Sequence, residues 1–179
     1  MDKYFYHRIG GLQMIQRPRL LIIDDDPMIQ QLLTMHLRKD FFIFSANGGQ
    51  EGFALAHINR PDIVTLDMQM PGWDGIKTLQ AFRANRKLSN IPVLILSAET
   101  EKAAVIRAIQ AGANDYLIKD GSWHEKLVAR LNRLLSPEEV PAVPKPAPQP
   151  ALAMAPAEWN QAVADLAGRE AMQNFEDGF

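Results

Sequence analysis

The sequence predicts a doubly wound α/β fold, a five-stranded parallel sheet with helices on both faces. Two observations carry this. Between residues 19 and 136 five short apolar runs alternate with five helical patterns. The runs are apolar almost throughout rather than every second residue, the mark of strands buried on both faces of a parallel sheet. Such connections are right-handed crossovers.

The elements follow in order. Arg19-Leu20-Leu21-Ile22-Ile23 reads as the first strand, with Pro27 at the first position of a helix running to about Lys39 and Asp26 as its N-cap. Phe41-Phe42-Ile43-Phe44 is the second strand, turned by Asn47-Gly48-Gly49 into a helix ending near Asn59. Asp62 to Leu66 forms the third, followed by a loop and a helix from about Asp74 to Arg86, with Asp74 as cap or turn residue. Pro92 to Leu96 forms the fourth, and its helix is stopped by Gly112. Asp115 to Ile118 forms the fifth, before a helix reaching about Leu135.

Around this body lie other zones. Residues 1–18 read as a short, mildly basic lead-in without a clear period, in which Met14 is a candidate start. Seven of the 12 prolines fall in residues 137–156, which predicts an extended spacer. Residues 157–179 return to a helical pattern, with Trp159, Val163, Leu166 or Ala167, Ala171 and Phe175 on one face and a net charge of −4. That segment is expected to dock on its own domain, bind a partner or stay unfolded.

Composition sets the function classes. The chain has no cysteine, which excludes disulfides and thiol chemistry. A net charge of −2, with no helix-turn-helix or basic stripe after residue 136, gives the expectation of no nucleic-acid partner. No apolar run is long enough to span a membrane and no signal core opens the chain, so a cytoplasmic protein is expected. The four histidines share no metal-ligand spacing.

Doubly wound folds place their sites at the carboxyl ends of the strands. There the first strand carries Asp24-Asp25-Asp26, the third Asp67, the fourth Ser97 and the fifth Lys119. Carboxylates so grouped raise one another's pKa unless a cation sits among them. Hard oxygen donors suit Mg²⁺, which takes one or two carboxylates and phosphate oxygens. The set looks like a magnesium site that receives a phosphoryl group.

Four stretches, Leu20 to Asp26, Leu66 to Gly75, Leu94 to Ala98 and Ala111 to Lys119, resemble the response-regulator receiver family of two-component signalling. The likeness covers residues 19–136 and implies the flavodoxin-like strand order 2-1-3-4-5. It implies that Asp67 accepts a phosphoryl group from a histidine kinase or phosphotransfer protein, and that the product signals to a downstream protein rather than acting as an enzyme. Asp25 and Asp67 would bind Mg²⁺ directly, Asp24 through water, and Gln69 through its backbone carbonyl. Lys119 would pair with Asp67 and then with the phosphoryl group. Ser97 would bond a phosphoryl oxygen, and Tyr116 would move inward with it. The bland readings are Ser97 as a helix cap and Tyr116 as sheet core. The family's tuning of phosphoryl lifetime would fall on Gln69 and Glu99, and Trp73 is expected to rim the site. The family's usual proline after the lysine is replaced by Asp120, which predicts a trans bond. Two rivals remain: a phosphohydrolase similar to the haloacid dehalogenase superfamily, using Asp24-Asp25-Asp26, and a degenerate receiver acting only as an interaction module.

Overall fold

A computed structural model describes residues 5–9 and 12–136. It opens with an antiparallel hairpin, β1 (Phe5–Ile9) and β2 (Leu12–Gln16), paired from Phe5↔Gln16 to Ile9↔Leu12. The lead-in thus has more order than its lack of period suggested. Two short β-prone runs separated by Gly10-Gly11 carry a hairpin signal that a search for helical periodicity passes over.

The main body runs β3 (Arg19–Ile23), α1 (Pro27–Leu37), β4 (Phe42–Ala46), α2 (Gly49–Asn59), β5 (Ile63–Asp67), α3 (Gly75–Ala84), β6 (Val93–Ser97), α4 (Lys102–Gln110), β7 (Asp115–Ile118) and α5 (Trp123–Leu135). Its sheet is wholly parallel, in the order β4-β3-β5-β6-β7. Numbered within the sheet, this is 2-1-3-4-5, as expected.

Alternate strand residues face opposite layers. Leu21, Ile23, Val64, Leu66, Val93 and Ile95 pack with Phe53 of α2, Leu79 and Phe82 of α3 and Ala108 of α4. Leu20, Ile22, Ile63, Leu94 and Leu96 pack with Leu33 and Leu37 of α1 and Leu127 and Leu131 of α5. Every residue of β5 and β6 is buried, which explains why these runs are apolar almost throughout, with Thr65 the polar exception before the closing Asp67 and Ser97. β4 is an edge strand and begins one residue later than the apolar run suggested. Phe41 is buried before it, whereas Phe42 points outward, 58% exposed.

Local chemistry sets the helix ends. Asp26 caps α1, its carboxylate accepting from the Met28 amide at 2.8 Å, with Pro27 at the first turn. Asp74 caps α3 by accepting from the Lys77 amide at 2.7 Å. Gly112, at φ 102°, supplies the left-handed residue after α4. Arg83, at the end of α3, donates to the carbonyls of Gly112, Ser89 and Ile91 and to the side chain of Asn114, all within 3.1 Å. Burial lowers its pKa to about 10. No helix among the described residues is long and apolar enough to cross a membrane. The spacer and the terminal segment after Ser136 lie outside the described residues.

Candidate functional site

Four strand ends build the site. Asp24 directly follows β3, Asp67 ends β5, Ser97 ends β6 and Lys119 directly follows β7. The sheet order brings these positions together although Asp24 and Lys119 are 95 residues apart. The Lys119 ammonium donates to Asp24 Oδ2 and to Asp67 Oδ1, each at 2.7 Å. The second oxygen of each carboxylate accepts an amide two residues on: Asp24 Oδ1 from Asp26 at 3.0 Å, Asp67 Oδ2 from Gln69 at 2.8 Å. Both acids are buried, at 2% and 7% exposure.

These contacts leave an electrostatic surplus. Burial pushes the Asp24 carboxyl above its usual value, and the Asp67 charge adds to the rise; the Lys119 and Asp26 hydrogen bonds offset it in part. For Lys119, burial alone would depress the ammonium, but hydrogen bonds and charge from Asp24 and Asp67 together hold it above the usual lysine range. One ammonium therefore serves two buried carboxylates, with exposed Asp25 beside them. An all-oxygen donor set with excess negative charge fits a hard divalent cation such as Mg²⁺. The acids are not gathered into a ready-made cage. Among the described residues no three His, Cys, Asp or Glu side chains form a group that could hold a metal, and the Lys119 ammonium bridges Asp24 and Asp67.

Ser97, only 1% exposed, accepts the Glu99 amide at Oγ over 3.1 Å. Tyr116 is half-buried, and its hydroxyl donates to the Glu99 carbonyl at 3.0 Å. The Lys119–Asp120 bond is trans, like every peptide bond among the described residues. In place of proline, the Asp120 carboxylate accepts the Ser122 amide and pairs with Lys126, both at 2.9 Å, where α5 begins. Lys119 is positioned by its own amide, which donates to the Ser97 carbonyl at 2.7 Å.

One expectation fails. Trp73 does not rim the site: it is 6% exposed, with its ring 6.2 Å from that of Phe53 and the Lys77 ammonium 5.2 Å from its centroid. An indole at that loop position finds more apolar surface below than at the rim. One residue, Arg107, escaped the sequence reading. Glu99 was marked only by its place after Ser97, yet it accepts from the Gln69 side chain at 2.7 Å and pairs with Arg107 at 3.6 Å. Neither partner is visible from spacing, because each belongs to a different element.

The model of the response regulator receiver domain matches residues 20–132. The DNA-binding response regulator MtrA of Mycolicibacterium smegmatis is 37% identical over 70% of this chain and 54% of its own length. The DNA-binding dual master transcriptional regulator RpaA of a Synechocystis species is 38% identical over 66% of this chain and 49% of its own. The chain thus spans about half the length of the curated relatives it matches. Among solved structures, the Francisella response regulator 1452 receiver domain superposes with a TM-score of 0.60 at 32% identity, covering 66% of this chain and 96% of the other. Chemotaxis protein CheY4 of Vibrio cholerae gives 0.63 at 27% identity, covering 66% and 99%.

These relatives overturn the expectation that nucleic acid is no partner. Two of them are named as DNA-binding regulators. The net charge and the absence of a helix-turn-helix describe a receiver and its tail, and cannot speak for the half of those relatives that has no counterpart in the match. Fold and match agree: the chain belongs to the response regulator receiver domain family of two-component signalling.

Proposed function

We propose that this chain is a phosphoacceptor switch. Asp67 takes a phosphoryl group from a phosphohistidine of a partner histidine kinase or phosphotransfer protein, with Mg²⁺ bound beside it, and a downstream protein reads the product. The observation that carries this reading is the Lys119 ammonium held 2.7 Å from both Asp24 and Asp67 at the strand ends.

A carboxylate oxygen of Asp67 attacks phosphorus, the P–N bond breaks, and the leaving imidazole keeps the electron pair and is protonated. An ammonium has three donors, so Lys119 can turn one toward a phosphoryl oxygen while still bonding an acid. Ser97 Oγ here only accepts, leaving its O–H free to donate to a second phosphoryl oxygen. Asp25 and Asp67, the Gln69 carbonyl and, through water, Asp24 would hold Mg²⁺, whose charge offsets that of the transferring group. Electrostatics and alignment supply most of the catalysis of such a transfer, so few residues are needed. Phosphorylation then shifts a pre-existing equilibrium, read on the surface of α4, β7 and α5. Ile106 and Ile109 of α4 are exposed there.

Acetyl phosphate with Mg²⁺, followed by mass-spectrometric mapping, tests the reading. The label is expected on Asp67 and absent from Asp67→Asn. A label on Asp24, or none in the native chain, overturns it.

A further inference from the structure

At the rim of the site, Glu99 has all four of its polar handles engaged. Its amide donates to Ser97 Oγ at 3.1 Å, and its carbonyl accepts the Tyr116 hydroxyl at 3.0 Å. One carboxylate oxygen accepts from Gln69 Nε2 at 2.7 Å, and the other faces an Arg107 guanidinium nitrogen at 3.6 Å. Gln69 stands two residues after Asp67, Glu99 two residues after Ser97, and Arg107 lies on α4. One side chain therefore links the loop that follows the acceptor, the loop that follows the hydroxyl, and a helix.

We infer that Gln69, Glu99 and Arg107 form a latch on the unphosphorylated arrangement, with Arg107 a positioning residue that acts through Glu99. The inference rests on Asp67 being the phosphoacceptor. To donate to a phosphoryl oxygen on Asp67, the Ser97 hydroxyl must shift toward that residue, and the shift pulls on the bond it accepts from the Glu99 amide. Glu99 cannot follow freely while its carboxylate is tied at both ends. Arg107 fixes one oxygen, which aims the other at Gln69, so the guanidinium governs how readily Ser97 is released. Gln69 and Arg107 are both exposed, so the latch can open without disturbing the core. A depression of about 640 Å³ beside it, floored by Met68, Met70 and Ile76, gives the released side chains room to swing. An exposed ion pair is weak. The latch therefore biases an equilibrium and does not lock it.

The first test uses the full unphosphorylated chain, so that its result does not depend on Asp67 chemistry. Amide hydrogen exchange at Glu99, followed by NMR, is expected to quicken about threefold in Arg107→Ala, the scale of an exposed ion pair. It should quicken about tenfold in Gln69→Leu, the scale of a hydrogen bond to a charged group. The reversed pair Glu99→Arg with Arg107→Glu should return exchange toward the native rate, because the Gln69 amide can turn its oxygen to meet an arginine. Labelling of Asp67 by acetyl phosphate should then run about threefold faster in Arg107→Ala, in step with the weakened pair. Unchanged exchange in Arg107→Ala, no rescue by the reversed pair, or faster exchange without faster labelling overturns the latch. A native chain that takes no label defeats the phosphoacceptor reading instead and leaves the exchange result standing.

Discussion

A Cβ atom on Gly75 would stand 2.5 Å from the carbonyl oxygen of Asp67 and 2.8 Å from Cα of Met68. The first turn of α3 is pressed against the backbone of the proposed acceptor, and only glycine permits that approach. Gly75→Ala should force the two apart and cost about 1–3 kcal/mol, as overpacking of a filled site does. Urea unfolding measures this. Gly121→Ala, where a Cβ meets nothing within 4 Å, is the control and should move the midpoint little.

Lys119→Ala removes the ammonium that serves two buried acids. An uncompensated charge of this kind costs about 3–5 kcal/mol. The variant should unfold earlier at neutral pH and recover part of the difference on acidification, as Asp24 takes up a proton. Mg²⁺ binding, followed by calorimetry, should persist, while labelling of Asp67 falls. Lys119→Arg should not restore the native rate, because a planar fork replaces a compact point charge.

The raised pKa of Asp24 has a definite sign. The folded chain holds this proton more tightly than the unfolded chain, so ionising the group costs stability as pH climbs from 3.8 through the folded value. Asp24→Asn lacks that cost. Measured in urea from pH 3.8 to neutrality, the variant should gain stability relative to the native chain across this window and hold the gain above it. A constant difference at all pH values would show that Asp24 does not titrate in this way.

Among the described residues, the five-stranded sheet and both apolar clusters lie between Arg19 and Leu135. Deleting residues 137–179 should therefore leave a folded domain that still labels on Asp67. A thermal midpoint lowered by more than a few degrees would show instead that the terminal segment contributes core.

Much of this architecture was legible because the sheet writes itself plainly. Strands buried on both faces read as nearly continuous apolar runs, and their carboxyl ends fall where Asp24, Asp67, Ser97 and Lys119 stand. Asp26 and Gly112 announced helix ends through chemistry that is local to the chain. What stayed hidden depends on contacts across elements. The four bonds of Arg83 reach carbonyls and an amide side chain from 6 to 31 residues away, and no local pattern foretells them. Trp73 was misplaced because loop position says nothing about which way an indole turns. The N-terminal hairpin was passed over because period-two signals in five-residue strands are short beside the helical patterns that follow.

The 95 residues between Asp24 and Lys119 have a consequence for how the molecule comes into being. Nearly all of the parallel sheet must pair before the ammonium reaches its acids, and such long-range pairings are slow to form. A nascent or damaged chain lacking β7 would still carry Asp67, but without the cation that balances it. On the proposed reading, competence to take up a phosphoryl group is thus tied to finished folding, because the ammonium reaches Asp67 only once the last strand has joined the sheet.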